Sequence, residues 1–162
     1  MLNRLFPRQI DNAYQGHPIA IWLFVPVVLM KTLMGFNVAG LNPWISSRFV
    51  IQAADGVPID TFPAQAASMA VFLFAAWGLA LLVLALLSIV VLIRYRAMLP
   101  LMFLALAVEQ LGRKVLASVH LATGASHDGV SIGTLINWGF SAALVLGLAL
   151  SLIDSRPRVS RG

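Results

Sequence analysis

Cysteine is absent from the chain, and acidic residues number six, with Glu109 the single glutamate. Without a thiol there are no disulfides, thiolate nucleophiles, iron–sulfur clusters or cysteine-ligated zinc. The absence says nothing about redox compartment, because no thiol is there to report on it. So few carboxylates also remove the paired acids of glycoside chemistry: Asp55 and Asp60 share only a proline-rich loop, DGVPIDTFPA. Phosphate-cradling glycine loops and a G-x-S-x-G elbow are missing as well. Charge of any sign is scarce, at 10% of residues against about 25% in soluble domains. No segment repeats at a period of 20 to 50 residues, and none is of low complexity.

What is present is long apolar sequence, 60% of residues being hydrophobic. Four stretches are near the 20 or so residues that cross ~30 Å of hydrocarbon: about 19–40, 68–93, 97–120 and 131–153. The expected fold class is therefore all-α, a polytopic membrane protein forming a four-transmembrane-helix bundle, with residues 1–162 as a single transmembrane domain. The first run follows two arginines as a signal peptide would, but it is too long for one and lacks a convincing cleavage site, so an uncleaved anchor is expected.

Lysine and arginine in short loops set orientation. With both termini cytoplasmic, Arg4, Arg8, Arg94, Arg96, Arg156, Arg158 and Arg161 lie inside, and the outer connections, about 41–67 and 121–130, hold only Arg48. That bias also favours an even number of spans. The net charge of +5 is thereby explained by topology and lipid headgroups, and no nucleic-acid partner is expected. The segment MLNRLFPRQIDNAY mixes arginines with Leu2, Leu5, Phe6, Ile10 and Tyr14; it reads either as a short amphipathic stretch in the headgroup plane, broken at Pro7, or as a frayed tail. In the long outer loop, NPW at 42–44 predicts a short surface helix over about 43–51, capped by Asn42.

The third run carries VEQLGRKVLASVH at 108–120, which places a carboxylate and two cations inside a span. A charge at mid-membrane costs a few kcal/mol and calls for a partner. At 1.5 Å per residue, Glu109 and Lys31 lie roughly 17 and 18 Å from the inner ends of their spans, so they share a level. Arg113 follows Glu109 in the favourable i,i+4 order and matches Asn137 in depth. The expected site is one polar intramembrane centre of Lys31, Glu109, Gln110, Arg113 and Asn137, with Asn37 as a further supporting partner and Lys114 extending toward the interface. Such a centre either fixes helix register or binds a ligand, and its excess of cations favours an anion or a lipid headgroup over a cation pathway.

Small residues at Gly139, Ala143 and Gly147 (with Ser151 next in the row) predict a helix-packing seam, serving the bundle itself, a homo-oligomer or a membrane-protein partner. Pro26 should kink the first span. His17 lies at the opposite side from His120 and His127, which excludes a bis-histidine haem between them. His120, His127 and Asp128 form a weak metal candidate, and Ser118 and Ser126 beside them lack any recognisable catalytic frame. No cofactor and no catalytic residue are expected.

NRLFPRQIDNAYQGH together with RYRAMLPL resembles small four-span proteins of proteobacteria; the resemblance covers about a quarter of the chain and implies a bacterial inner membrane, but no activity. The sequence therefore reads as a small integral membrane protein of the lipid bilayer, most simply a non-enzymatic accessory or binding component. The alternatives are a small carrier or channel for an anionic solute and, less simply, a membrane-embedded enzyme.

Overall fold

A computed structural model describes residues 2–55, 57–120 and 132–153, whose regular structure is helical, without a strand among them. The helices are α1 (Leu2–Leu5), α2 (Pro18–Val38), α3 (Ser47–Asp55), α4 (Ala64–Arg94), α5 (Leu99–His120) and α6 (Ile132–Leu152), with single 3₁₀ turns at Ile59–Thr61 and Arg96–Met98. Three of them (α2, α4 and residues 135–152 of α6) are long and apolar enough to cross a membrane. Their outward faces carry large apolar side chains, among them Trp22, Leu29, Phe72, Leu79, Ile93 and Leu146, all more than 50% exposed. A water-facing helix does not present such a surface; hydrocarbon solvates it, and the chain is built as a membrane protein. α5 has the length, at 22 residues, but carries Glu109, Arg113 and Lys114.

The chain divides into two compact units, residues 28–87 and residues 1–27 with 88–162. In the first, the second half of α2 packs on α4 nearly backbone to backbone. A Cβ at Gly78 would lie 2.5 Å from the Ala39 nitrogen, and one at Gly35 would lie 2.8 Å from the Leu82 nitrogen. Only glycine permits that approach, which accumulates van der Waals contact where no hydrophobic drive exists between helices. α2 ends in a Schellman cap: Gly40 adopts φ +73°, Leu41 N–H donates to the Phe36 carbonyl at 3.2 Å, and Gly40 N–H to Asn37 at 3.1 Å.

The loop that follows is ordered by its own small core, in which Ile51, Ile59 and Ala67 are buried with Val57, Val71 and Phe74 against them. The surface helix starts later than the expected 43–51. Its cap is Ser46, whose Oγ accepts the Phe49 N–H at 3.2 Å. Asn42 instead closes a turn, accepting the Trp44 N–H at 2.9 Å and donating to Asn37 Oδ1 at 2.7 Å. Arg48 and Gln52 both hold Asp60, Arg48 through a 2.9 Å ion pair.

In the second unit, α5 and α6 run antiparallel, since Phe103 meets Gly147 near one end and Gln110 meets Asn137 further along. Phe103 is fully buried and stacks edge-on against Phe24 with ring centroids 4.8 Å apart. The N-terminal segment folds over the end of this unit instead of fraying. His17 N–H donates to the Leu150 carbonyl at 3.1 Å and Arg4 Nη1 to Leu152 at 3.1 Å, so two of the orphan carbonyls at the end of α6 are satisfied. Ala97 N–H in turn donates to the Asp11 carbonyl at 3.2 Å. A side chain at Gly16 would collide with the Ser151 carbonyl and the Tyr14 hydroxyl.

The docked segment has a titration consequence. Burial pushes the Tyr14 phenol up to about 12 from 10.0, against a smaller lowering by Arg4. A raised acid pKa means that folding favours the neutral phenol. That balance makes alkaline pH destabilising, because stability falls as pH rises from 10.0 toward 12. The chain has two tyrosines. Tyr14→Phe should therefore remove the later-titrating component from the ultraviolet phenolate absorbance and flatten the alkaline loss of stability; loss of a component titrating near 10.0 instead would refute the docking of Tyr14.

Candidate functional site

α5 presents its polar residues over a limited arc. At about 100° per residue, Glu109, Arg113, Gln110 and Lys114 fall in that angular order, with Gln110 near the middle. Gln110 is accordingly the most buried, at 2% exposure. Its Nε2 donates to Asn137 Oδ1 on α6 at 3.0 Å, and its Oε1 accepts from Arg113 Nη2 at 3.2 Å. Arg113 Nε lies 3.3 Å from Glu109 Oε1, so acid and cation neutralise one another along the helix. Asn137 Oδ1 thus ends a relay running Glu109, Arg113, Gln110, Asn137, every link of which is set by helical spacing or by the α5–α6 register. One turn on, Ser141 Oγ donates back to the Asn137 carbonyl at 2.9 Å, a common way for serine to satisfy itself in an apolar helix.

Lys114 turns to the other side of the arc. Its Nζ lies 3.5 Å from the centroid of the Trp138 ring and has no hydrogen-bond acceptor among the described residues. A desolvated ammonium over an indole face is a favourable cation–π arrangement, and it replaces the extended, interface-seeking pose expected for Lys114. Trp138 is the partner that sequence reasoning missed. Nothing in the helical spacing announces it: with Asn137 opposite Gln110, an antiparallel register sets Lys114 nearer residue 133, and only the reach of the two long side chains joins Lys114 to Trp138.

Of the expected centre, Glu109, Gln110, Arg113 and Asn137 are brought together. Lys31 is buried, at 3% exposure, on the half of α2 that belongs to the other unit. Asn37 lies in that unit too and is engaged with Asn42 at the end of α2. In the expected seam, Gly147 is pressed against the Phe103 ring, Ala143 is half-buried, and Gly139 has nothing within 4 Å of where a Cβ would stand. Positions four apart drift about 40° per step around a helix, so a row that lies on the contact face at Gly147 and Ser151 is off it at Gly139. The buried positions are instead Ser141, Leu144, Gly147 and Ser151. His127 and Asp128, with the side chain of His120, lie outside the described residues; among the described ones no cluster of three metal-ligating side chains occurs.

Chemically, the α5–α6 centre sets one carboxylate, Glu109, against two cations, Arg113 and Lys114, so these three side chains carry an excess positive charge. It offers amide and guanidinium donors, but no nucleophile with a base to activate it. Compared with protein-family models, curated proteins and solved structures, the chain matches none. Its class, an all-helical membrane protein with a polar centre between two antiparallel helices, rests on composition and geometry.

Proposed function

We propose that this chain is a four-span integral membrane protein of a cell inner membrane, most simply a bacterial plasma membrane, and that it acts as an accessory or binding component and not as a catalyst. α5 is taken as the fourth span. Its three charged side chains are engaged by one another, by Gln110 and Asn137, or by Trp138, and this offsets part of the cost of carrying them into hydrocarbon. An even number of spans agrees with the N-terminal segment meeting both the end of α6 and the turn at 96–98. The arginine bias then sets that end in the cytoplasm.

The observation that carries the binding reading is the Gln110–Asn137 hydrogen bond with Arg113 attached to it. A pair of helices needing only to pack would not retain a guanidinium there; retaining it suits recognition of an anionic group, on a lipid or on a partner's transmembrane helix. A second reading, a carrier for an anionic solute, is favoured by the surplus cation.

Glu109→Gln, Arg113→Gln and Lys31→Gln variants test both readings. In gentle detergent, Arg113→Gln is expected to keep its thermal transition within a few degrees and to lose a co-purifying lipid or protein seen by mass spectrometry with the wild type. An unchanged set of bound species in all three variants would sink the binding reading. Anion flux into vesicles that is abolished by Arg113→Gln would establish the carrier in its place.

A further inference from the structure

The end of the second unit holds a cleft of about 340 Å³, a size within the range of small-molecule sites. It is separate from the α5–α6 centre. Arg4, Arg8, Gln9, Tyr14 and Gln15 line one side; Ala97, Pro100 and Ser151, from the 3₁₀ turn, the start of α5 and the end of α6, form the other. From these observations we infer that the cleft is a binding site for a phosphate group, supplied by an anionic phospholipid of the adjoining leaflet or by a soluble phosphate ester.

Three features argue for phosphate. First, the carbonyl end of a helix normally repels an anion, and here that end is covered. Arg4 donates to Leu152 and His17 N–H to Leu150, so the carbonyls on either side of Ser151 are occupied and the guanidinium of Arg4 is fixed in place. Second, two arginines face one acid, Asp11, whose Oδ1 accepts the Ala13 N–H at 3.0 Å. Exposed Arg8 presents its planar fork of donors, which matches two oxygens of a phosphate better than it matches a point acceptor. Third, one wall comes from the start of α5 and the end of α6, which on the proposed four-span reading are ends of membrane helices. The cleft therefore opens at headgroup depth, where a charged leaflet concentrates phosphate diesters. Tyr14, held by its hydroxyl donating to the His17 carbonyl at 3.2 Å, and Gly16, against Ser151, keep the covering segment in one conformation. Much of the cost of ordering this segment is therefore met by the fold, before any ligand arrives.

Assignment to the cytoplasmic leaflet rests on the proposed orientation; the phosphate site does not. The two fail separately. Terminal reporter fusions decide orientation, whereas binding is read on the full chain in detergent. The experiment is native mass spectrometry of the solubilised full chain titrated with phosphatidylglycerol, with phosphatidylcholine, and with glycerol phosphate as the soluble probe. The wild type should retain phosphatidylglycerol in preference to phosphatidylcholine. Arg8→Gln should weaken that retention about fivefold, the scale of one arginine at an anionic surface. Ala13→Phe, which fills the cleft without touching a charge, should weaken it comparably, and Arg48→Gln in the other unit should not. Arg4→Gln should do the same as Arg8→Gln, but it also uncaps α6, so the Arg8 and Ala13 variants are the decisive ones.

Displacement of the lipid by glycerol phosphate would support the site and identify a soluble ester as its ligand; no displacement would identify the lipid. Retention of phosphatidylglycerol by Arg8→Gln and Ala13→Phe at wild-type levels, with no change in glycerol phosphate binding, would overturn the proposal. Equal retention of the two lipids would overturn it as well.

Discussion

Gly78→Ala is expected to destabilise the protein by about 1–3 kcal/mol, the usual cost of forcing a methyl into a filled contact. The added Cβ would stand 2.5 Å from the Ala39 nitrogen and 2.8 Å from the Val38 carbonyl carbon. Both neighbours are backbone, so no rotamer change can make room, and α2 and α4 would have to move apart. Separation would also loosen the contact at Gly35, whose missing side chain lets Gly78 and Leu82 approach. The same substitution at Gly139 supplies the control. Nothing lies within 4 Å of a Cβ there, and alanine is the better helix former by roughly 0.5–1 kcal/mol, so Gly139→Ala should be neutral or slightly stabilising. Thermal unfolding in one detergent compares them directly. If the two variants melt together, the close crossing of α2 and α4 is wrong.

Gln110→Leu is the second large effect. Leucine nearly preserves volume, so packing is little disturbed, but it removes the acceptor of Arg113 and the donor to Asn137. Leaving polar partners unsatisfied in an apolar surrounding costs about 1–3 kcal/mol. Hydrogen bonds across membrane helices themselves average only ~0.6 kcal/mol in double-mutant cycles. The distinction predicts a recovery: Gln110→Leu combined with Asn137→Leu should be more stable than Gln110→Leu alone, because the pair is then apolar on both sides. Denaturant titration of the two single variants and the double would check this. Additive losses would mean that the two side chains do not interact.

Much of this molecule is local and was legible as such. Runs of apolar residues predict helices because hydrocarbon leaves the backbone no partner but itself, and the bounds of α2, α5 and α6 fall within two residues of those expected. α4 begins four residues earlier, at Ala64, because Pro63 can start a helix by accepting the Ala67 N–H at 2.9 Å. Depth counting brought Arg113 and Asn137 to one level, and helical spacing paired Glu109 with Arg113; both follow from fixed rise and twist.

Rotation of one helix against another is a different matter. Gly35 and Gly78 look like ordinary glycines in apolar runs until the crossing of α2 and α4 is known, whereas Gly139 looks like the head of a seam and faces open space. Trp138 becomes the partner of Lys114 only through the packing of α6 beside α5, where two long side chains reach each other. The N-terminal arginines stand out in the sequence by their number, but that Arg4 caps Leu152 and helps form a cleft goes with the close approach of Gly16 to Ser151. The sequence by itself determined which segments are helices and how far along its helix each polar group lies, since these depend on neighbours along the chain. Only the tertiary structure decided which faces meet, because that choice is made by shape and by polar partners supplied from distant segments.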